Sequence, residues 1–174
     1  MSRRADGAAR HPAHPVIGEG AGPPAGSALT ERWTVCSAGH VHWGAIGAAG
    51  LLLSCAVDTQ PTFLLARRSR WVDEGGRWGI PGGAIRDGES PGDAAGRELA
   101  EELGVTPEYR ITGLQRSDCG GGWGFWTITA RVPAIFEAYC ASETDATGWF
   151  TLPQLMRLDL HPGLRTWVET VLDR

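Results

Sequence analysis

The chain has 174 residues, enough for one domain with a sizeable core, and its apolar content of 42% is normal for a globular protein. A net charge of −4 excludes a general polycationic surface for nucleic acid or anionic lipid. All 16 basic residues are arginine, and the absence of lysine excludes a Schiff-base lysine and the P-loop motif for phosphate binding.

Residues 1–28 are rich in Ala, Gly, Pro, Arg and His and show no apolar periodicity. This composition predicts a disordered tail, with a partner-binding arm as the alternative, followed by one folded domain over residues 29–174. No apolar segment typical of a secretory signal follows the initial MSRR, and the longest apolar run, residues 45–57, is too short and too glycine-rich to span a bilayer. We therefore expect a cytoplasmic monomer or homodimer without a membrane or nucleic-acid polymer as partner.

Strand patterns follow one another along the domain. One strand is predicted to end near Val57, and PTFLLARRS is predicted to form the next strand after a turn at DTQP. A loop-rich connection with a short strand leads to a helix over Ser90–Leu103. The segments RITGLQRS, GFWTITARV and TGWFTL are predicted strands, and an amphipathic helix begins near Pro162. Mixed strands with two helices predict an α+β or α/β sandwich.

The chain has four widely spaced cysteines, Cys36, Cys55, Cys119 and Cys140. Because none forms a C-x-x-C pair, a zinc cage is not expected. We expect reduced cytosolic thiols, and a disulfide remains the alternative. Cys119 with a distant histidine could form a nucleophilic dyad, but its CGGG context favours a flexible turn.

Two further patterns admit a binding role. His40 and His42 lie two residues apart and would share a strand face, so they could bind a metal, although ordinary packing or exposure is favoured without a third ligand nearby. The glycines of residues 44–50 hint at a dinucleotide loop, but their G-x-x-G-x-x-G spacing favours a strand with close backbone packing.

The helix over Ser90–Leu103 carries strong boundary signals: Ser90 is a good N-cap, Pro91 suits the first helical position, and Gly104 suits the stop. At about 100° per residue, one narrow face of this helix collects the carboxylates of Glu98, Glu101 and Glu102.

This crowding of like charge destabilises an isolated helix by roughly 0.2–0.5 kcal/mol per pair. The face could be an ordinary solvated one, or it could expect a divalent cation, which prefers oxygen ligands. Ala94 and Ala95, one turn earlier on the same face, would leave space there, and Gly96 is expected to pack closely against the sheet.

The surrounding residues decide between these two interpretations. The segment GAIRDGESPGDAAGRELAEELGV resembles the Nudix box at every specified position, with fixed gaps: Gly83, Glu89, Arg97, Glu98, Leu99, Glu101, Glu102, Gly104 and Val105. RWGIPGG before the box and GWF after it are also similar to the family, and the similarity covers about residues 41–174.

The resemblance implies the Nudix fold, a mixed sheet sandwiched between helices. It also implies hydrolysis of a nucleoside diphosphate linked to another group, with Mg²⁺ or Mn²⁺ as cofactor. By analogy, Glu98 and Glu102 are the principal metal ligands, Glu101 adds a further carboxylate, and the carbonyl of Gly82 is the backbone ligand.

The same analogy assigns supporting and catalytic roles. Arg97 is expected to orient the carboxylates and to pair with Glu89, and Gly83 is expected to support the site. The general base is expected to be Glu98 or an acid beyond the box, for which Glu143 lies six residues before Trp149.

Two features weaken the choice of Glu143. An exposed loop acid is an equally good explanation of that residue, and Asp145 is a further, weaker candidate. The position three residues before Trp149, where relatives often carry a second acid, is Ala146 here.

Substrate contacts are predicted from residue type and position. Alternation after the second strand would send Arg68 and Arg70 to one face, where either could contact phosphate or solvent. Trp78 and Trp123 could each stack on a base, although most of the eight tryptophans are expected to serve the core.

The box does not select a substrate, and no subfamily signature for NADH, ADP-ribose or dinucleoside polyphosphates is present. The compact domain favours a (deoxy)nucleoside triphosphate, and the alternative substrate is a nucleotide sugar or ADP-ribose. A non-catalytic nucleotide sensor is the rival class, disfavoured because all box carboxylates are present.

Overall fold

The computed structural model describes residues 27–141 and 143–172, so the predicted tail lies almost wholly outside the described residues. The described elements, in chain order, are α1 Ser27–Thr30, β1 Trp33–Val35, β2 Val41–Trp43, β3 Ala48–Val57, β4 Gln60–Arg68, β5 Trp78–Gly79, β6 Gly82–Ala84, α2 Pro91–Leu103, β7 Arg110–Asp118, β8 Gly124–Arg131, β9 Thr144–Thr151, α3 Leu152–Leu155 and α4 Pro162–Leu172.

A mixed sheet forms the centre of the domain. Its strand order is β5-β4-β3-β8-β7, with β6 paired to β3 and β9 paired to β4. The β3–β8 pair is parallel and the other pairs are antiparallel. The turn between β3 and β4 is made by Asp58 and Thr59, both with positive φ, which confirms the turn predicted at DTQP.

Alternate residues of the central strands are buried on opposite faces, and this alternation gives the sandwich its two cores. Leu51 and Leu53 of β3 pack with α2, whereas Leu52 packs with α3 and α4. The predicted fold class, a mixed sheet between helices, is therefore confirmed.

A separate two-stranded hairpin, β1–β2, was not predicted. Its strands are three residues long and mostly exposed, and they carry no alternation strong enough to distinguish them from a loop. The strand predicted for the glycine-rich residues 44–50 was correct only in part. Ala48, Ala49 and Gly50 lie in β3, and a Cβ on Gly50 would come within 2.8 Å of Ile80, whereas residues 44–47 precede the strand and Gly44 and Gly47 have positive φ.

Among the described residues, no helix combines the length and apolar character needed to cross a membrane.

Candidate active site

Helix α2 begins and ends as its sequence predicts. The Ser90 hydroxyl accepts a hydrogen bond from the backbone N–H of Asp93 at 3.2 Å, Pro91 is the first helical residue, and Gly104 ends the helix with φ of 62°. These local signals hold the helix in register, so the positions of its glutamates around the axis are fixed.

The buried stripe of α2 differs in part from the expectation. Ala94 and Ala95 do not leave space for a ligand, because both are fully buried against the sheet beside Leu99 and Leu103. The close packing expected at Gly96 is present, but its partner is not a residue of the sheet: a Cβ there would lie 3.0 Å from the hydroxyl of Tyr109, the residue just before β7.

The three glutamates lie along the border between this buried stripe and solvent. The side chain of Glu98 is only 13% exposed, whereas that of Glu101 is 48% exposed. Glu102 accepts a hydrogen bond from the backbone N–H of Gly82 at 3.2 Å, which ties the helix to strand β6. The solvated-face interpretation therefore fits Glu101 alone.

Strand β6 approaches the helix so closely that its glycines are required. A Cβ on Gly83 would lie 2.5 Å from Oε1 of Glu98, and a Cβ on Gly82 would lie 2.5 Å from the carbonyl oxygen of Ala49. The predicted supporting role of Gly83 thus has a steric explanation: its bare backbone makes room for the carboxylate.

Arg97 binds several acceptors at once. Its Nε donates to Oε1 of Glu89 at 2.7 Å and its Nη2 donates to Oε2 of the same carboxylate at 3.0 Å, while Nη1 donates to Glu98 at 2.6 Å and to Glu101 at 3.1 Å. Nη2 also donates to the carbonyl of Ala84 at 2.8 Å. A guanidinium can hold a carboxylate with two parallel bonds, and here that fork fastens the loop to the helix.

The charges in this network act on one another. The hydrogen bond from Arg97 holds the pKa of Glu89 below its usual value. Burial alone would lower the pKa of Arg97, but its bonds to Glu89 and Glu98 outweigh burial and raise it. Both groups therefore stay ionised across the physiological range.

Arg86 is a member of the network that the sequence analysis missed. Its Nη2 lies 2.7 Å from Glu31, its Nη1 lies 3.3 Å from Glu101, and its backbone N–H donates to Glu89 at 2.9 Å. Its position in the loop of the box was the only available signal, because Glu31 is 55 residues away in the chain.

Two of the glutamates are held in an environment that disfavours their charge. Burial raises the pKa of Glu98 in spite of its bond to Arg97. Burial, reinforced by the charges of Glu98 and Glu143, raises the pKa of Glu102 to about 7, although the Gly82 N–H and the charge of Arg68 oppose the shift. A cation beside these oxygens would remove the penalty, so the donor set fits Mg²⁺ or Mn²⁺.

Glu143 lies in the turn just before β9, and its charge contributes to the raised pKa of Glu102. Its carbonyl accepts a hydrogen bond from the backbone N–H of Ser69 at 2.8 Å, while the residue itself is exposed. The fold therefore brings this acid near the box, as the sequence analysis expected. Asp145 is also exposed, and Ala146 pairs with Arg67 in the sheet.

Arg68 and Arg70 are not related by strand alternation, because β4 ends at Arg68. The charge of Arg68 acts on Glu102, and its Nε donates to the carbonyl of Asp73 at 2.8 Å. Arg70 is exposed beyond the strand end. Arg68 is therefore near enough to act on the glutamate site, and strand alternation, the basis of the predicted shared face, does not extend to Arg70.

The two tryptophans have other contacts. Trp78 packs edge to face on Phe150, with ring centroids 4.9 Å apart, in the core beneath α3 and α4. Trp123 stacks on His42 at 4.1 Å, and its indole N–H donates to the carbonyl of Gly44 at 2.7 Å. These contacts connect Trp78 to the core and Trp123 to the N-terminal hairpin.

Away from the glutamates, the structure joins residues that the sequence analysis treated separately. One ligand atom from each of Cys36, His40, His42 and Cys119 lies within 4.8 Å of the others. The sequence offered no third metal ligand close to the two histidines along the chain and argued against a zinc cage. The structure instead places two cysteines beside these histidines.

Comparison with known proteins identifies the family of this chain. The family model of the NUDIX domain matches residues 47–171. A protein of Mycobacterium tuberculosis named "Putative 8-oxo-dGTP diphosphatase 3" is 35% identical over 140 residues, which are 76% of this chain and 64% of that protein. This chain therefore spans slightly less than two thirds of that relative's length.

Two further proteins are similar to this chain. "Putative 8-oxo-dGTP diphosphatase 2" of M. tuberculosis is 35% identical over 119 residues, covering 68% of this chain and 84% of its own. The crystal structure of RenU, a Nudix hydrolase from M. smegmatis, superposes with a TM-score of 0.75 at 27% identity and covers 82% of this chain and 93% of its own. With its complete box and its matching fold, the chain belongs to the Nudix family.

Proposed function

We propose that this protein is a pyrophosphohydrolase that cleaves a phosphoanhydride bond of a nucleoside diphosphate linked to another group, with Mg²⁺ or Mn²⁺ as cofactor. The observation that carries the proposal is the glutamate face of α2. Glu98 and Glu102 are partly buried beside the backbone of Gly82 and Gly83, and both have a raised pKa in the absence of a cation.

Glu98, Glu101, Glu102 and the carbonyl of Gly82 would hold the metal. When bound, it neutralises charge on the phosphate oxygens, orients the diphosphate and acidifies water. The site is pre-organised before substrate binds. Arg97 holds the loop and helix together through Glu89, and its bonds to Glu98 and Glu101 keep these two carboxylates side by side. Pre-organised groups need little rearrangement during reaction.

Two carboxylates could take the proton of the attacking water. Glu98 is hydrogen-bonded to Arg97 at 2.6 Å, which limits the movement of its carboxylate. In the part of the chain that the structure describes, no ion pair engages Glu143, and its charge reaches Glu102. We therefore assign the general base to Glu143, with Glu98 as the alternative.

Substrate contacts follow from position. Arg68 lies on the glutamate side of the sheet, where it could bind a phosphate oxygen as a fork-shaped donor. Arg70, Trp78 and Trp123 remain weaker candidates because their described contacts do not lead to the glutamates.

We propose a (deoxy)nucleoside triphosphate as the substrate, a free nucleotide in the cytoplasm rather than a nucleic-acid polymer. The two M. tuberculosis relatives support this choice, since both carry names for an 8-oxo-dGTP diphosphatase. Cleavage would then release a nucleoside monophosphate and pyrophosphate.

A substrate panel tests both the activity and the choice. Purified protein with Mg²⁺ is offered ordinary and oxidised nucleoside triphosphates, nucleotide sugars and ADP-ribose, and the products are separated by chromatography. We expect pyrophosphate and monophosphate from triphosphates in the wild type and in Glu169→Gln, an exposed glutamate on α4, and strong loss in Glu102→Gln. Turnover of nucleotide sugars alone would reject the substrate choice, and no turnover across the panel would favour a nucleotide sensor.

A further inference from the structure

Four side chains with soft or borderline metal-ligand atoms meet at one end of the N-terminal hairpin. Cys36 follows β1, His40 precedes β2, His42 lies in β2, and Cys119 follows β7. One ligand atom of each residue lies within 4.8 Å of the ligand atoms of the other three.

The hairpin turn brings three of these residues together. The backbone N–H of Cys36 donates to the carbonyl of His40 at 3.0 Å, and the N–H of Gly39 donates to the carbonyl of Cys36 at 2.9 Å. Gly39 has a φ of +83°, which suits glycine in a tight turn. Val35 pairs with Val41, so Cys36 and His40 face each other across the turn.

The fourth residue comes from the loop between β7 and β8, which is bonded to the same turn. The carbonyl of Gly121 accepts from the backbone N–H of Ser37 at 3.1 Å and from the Ser37 hydroxyl at 3.0 Å. A Cβ at Gly121 would clash with the sulfur of Cys36, so only glycine allows this approach. These contacts hold the β7–β8 loop against the hairpin turn, so the sulfurs of Cys36 and Cys119 lie close together.

The donor atoms suit one kind of metal ion. Two cysteine sulfurs and two imidazoles are a common ligand set of structural zinc sites. Bond lengths of about 2.3 Å to sulfur and about 2.0 Å to nitrogen place tetrahedral ligands about 3.3–3.8 Å apart. Small side-chain rotations would therefore bring the four ligand atoms from their observed spacing to these distances.

Two further contacts favour a bound ion. The backbone N–H of Gly121 donates to the sulfur of Cys119 at 3.4 Å, an outer contact that stabilises a thiolate. His42 stacks flat on Trp123, and its buried Nε2 has no hydrogen-bond partner among the described residues. A buried ring nitrogen without a partner is costly unless another group binds it.

We propose that Cys36, His40, His42 and Cys119 bind one Zn²⁺ in a closed tetrahedral site that fastens the β1–β2 hairpin to the β7–β8 loop. A two-stranded hairpin is marginally stable by itself, and this one is mostly exposed. The site is structural, because all four positions are filled by protein.

The same hairpin reaches the glutamate site. Glu31, just before β1, pairs with Arg86, which in turn contacts Glu101. Fastening the hairpin would hold Glu31 in place. The zinc proposal is nevertheless independent of the proposed catalytic activity, since its ligands are separate residues.

The rival occupant of this geometry is a disulfide between Cys36 and Cys119. It would use both sulfurs and leave the two histidines without a metal. Reduced protein binds Co²⁺ with an intense near-ultraviolet charge-transfer band only if thiolates coordinate it, so Co²⁺ is the probe that separates the two.

The test uses full-length reduced protein with excess Mg²⁺ to occupy carboxylate sites. We expect one Co²⁺ per chain, with a thiolate band and the visible bands of tetrahedral cobalt, displaced by one equivalent of Zn²⁺. Cys119→Ser and His40→Gln should weaken zinc binding at least tenfold, whereas Cys140→Ser, an exposed cysteine outside the cluster, should bind as the wild type does.

Wild-type protein tests the proposal even if a variant fails to fold. Co²⁺ binding without a thiolate band, or a band of undiminished intensity and affinity in folded Cys119→Ser, would overturn it. Zinc-free protein as isolated, with Cys36 and Cys119 joined in a non-reducing peptide map, would overturn it in favour of the disulfide. Glu98→Gln should lose hydrolysis yet keep the band, so failure of the zinc site and failure of the catalytic proposal give different results.

Discussion

Arg97 of α2 and Glu89 of the preceding loop, eight positions apart in the chain, are joined by two parallel hydrogen bonds, Nε to Oε1 at 2.7 Å and Nη2 to Oε2 at 3.0 Å. Both side chains are largely buried, with 16% and 20% of their surface exposed. This pair fastens the loop between β6 and α2 to the helix that carries the glutamates.

Replacing Arg97 by Gln is expected to destabilise the protein by about 2–3 kcal/mol, because Glu89 and Glu98 then lose charged hydrogen bonds in a buried setting. The matched control is Arg116→Gln, whose partner Asp118 is on the surface, with the pair 38% and 42% exposed. That change should cost much less stability, because water screens an exposed ion pair. Urea unfolding measures the loss of stability in both variants. Equal losses would contradict the role of Arg97 in holding the loop to the helix.

Gly83→Ala is expected to reduce turnover at least about tenfold with little change in folding, since the new Cβ would meet the Glu98 carboxylate at 2.5 Å and displace it. Gly92→Ala, in the same box, meets only the Ser90 hydroxyl at 3.8 Å and should keep full activity. It should also gain about 0.5–1 kcal/mol of stability as a helical alanine. Unchanged turnover in Gly83→Ala would show that the glycine does not position Glu98.

Glu102 should make the metal-free protein less stable as pH rises. Its folded pKa is about 7 and its ordinary value is 4.5, so between these values the folded state binds the extra proton. The free energy of unfolding therefore falls as pH rises through this window, by on the order of 3 kcal/mol. Urea unfolding without divalent cations, compared between wild type and Glu102→Gln, isolates this contribution. Parallel pH profiles for the two proteins would contradict the assignment.

Mg²⁺ is expected to stabilise the folded protein, by about 2.7 kcal/mol at a concentration 100 times its dissociation constant. The gain should be larger at pH 8 than at pH 6, because the cation competes with the proton on Glu102. A melting-temperature titration measures it, with Glu169→Gln as the control that keeps the gain and Glu98→Gln as the variant that loses most of it. A melting temperature independent of Mg²⁺ would argue against the carboxylate site.

Glu143→Gln is expected to lower kcat by about 10²-fold or more while leaving the Mg²⁺ stabilisation intact, because a general base acts on water rather than holding the metal. Asp145→Asn, two residues further on and also exposed, serves as the control and should change kcat little. Measurements of kcat across pH test the assignment of Glu143 as the general base. A wild-type rate in Glu143→Gln would transfer the role of base to Glu98.

Local signals predicted much of the fold. The caps of α2, the turn at Asp58 and Thr59 and the strands β3, β4, β7 and β8 depend on neighbouring residues, so the sequence pattern was sufficient for them. The hairpin β1–β2 was missed because its strands are only three residues long, too short for their alternation to distinguish them from a loop. Arg68 and Arg70 were misjudged because the end of β4 is set by pairing with β9 rather than by the arginines themselves.

The sequence by itself determined the chemistry: the spacing of the box and the period of one helix place Glu98, Glu101 and Glu102 on one face. Only the tertiary structure decided which of them are buried, that Arg86 links Glu31 to Glu101, and that Cys119 meets Cys36, His40 and His42. Helix periodicity and capping act over a few residues and can be read along the chain. Contacts between distant segments depend on how strands and loops pack together, which no local pattern records.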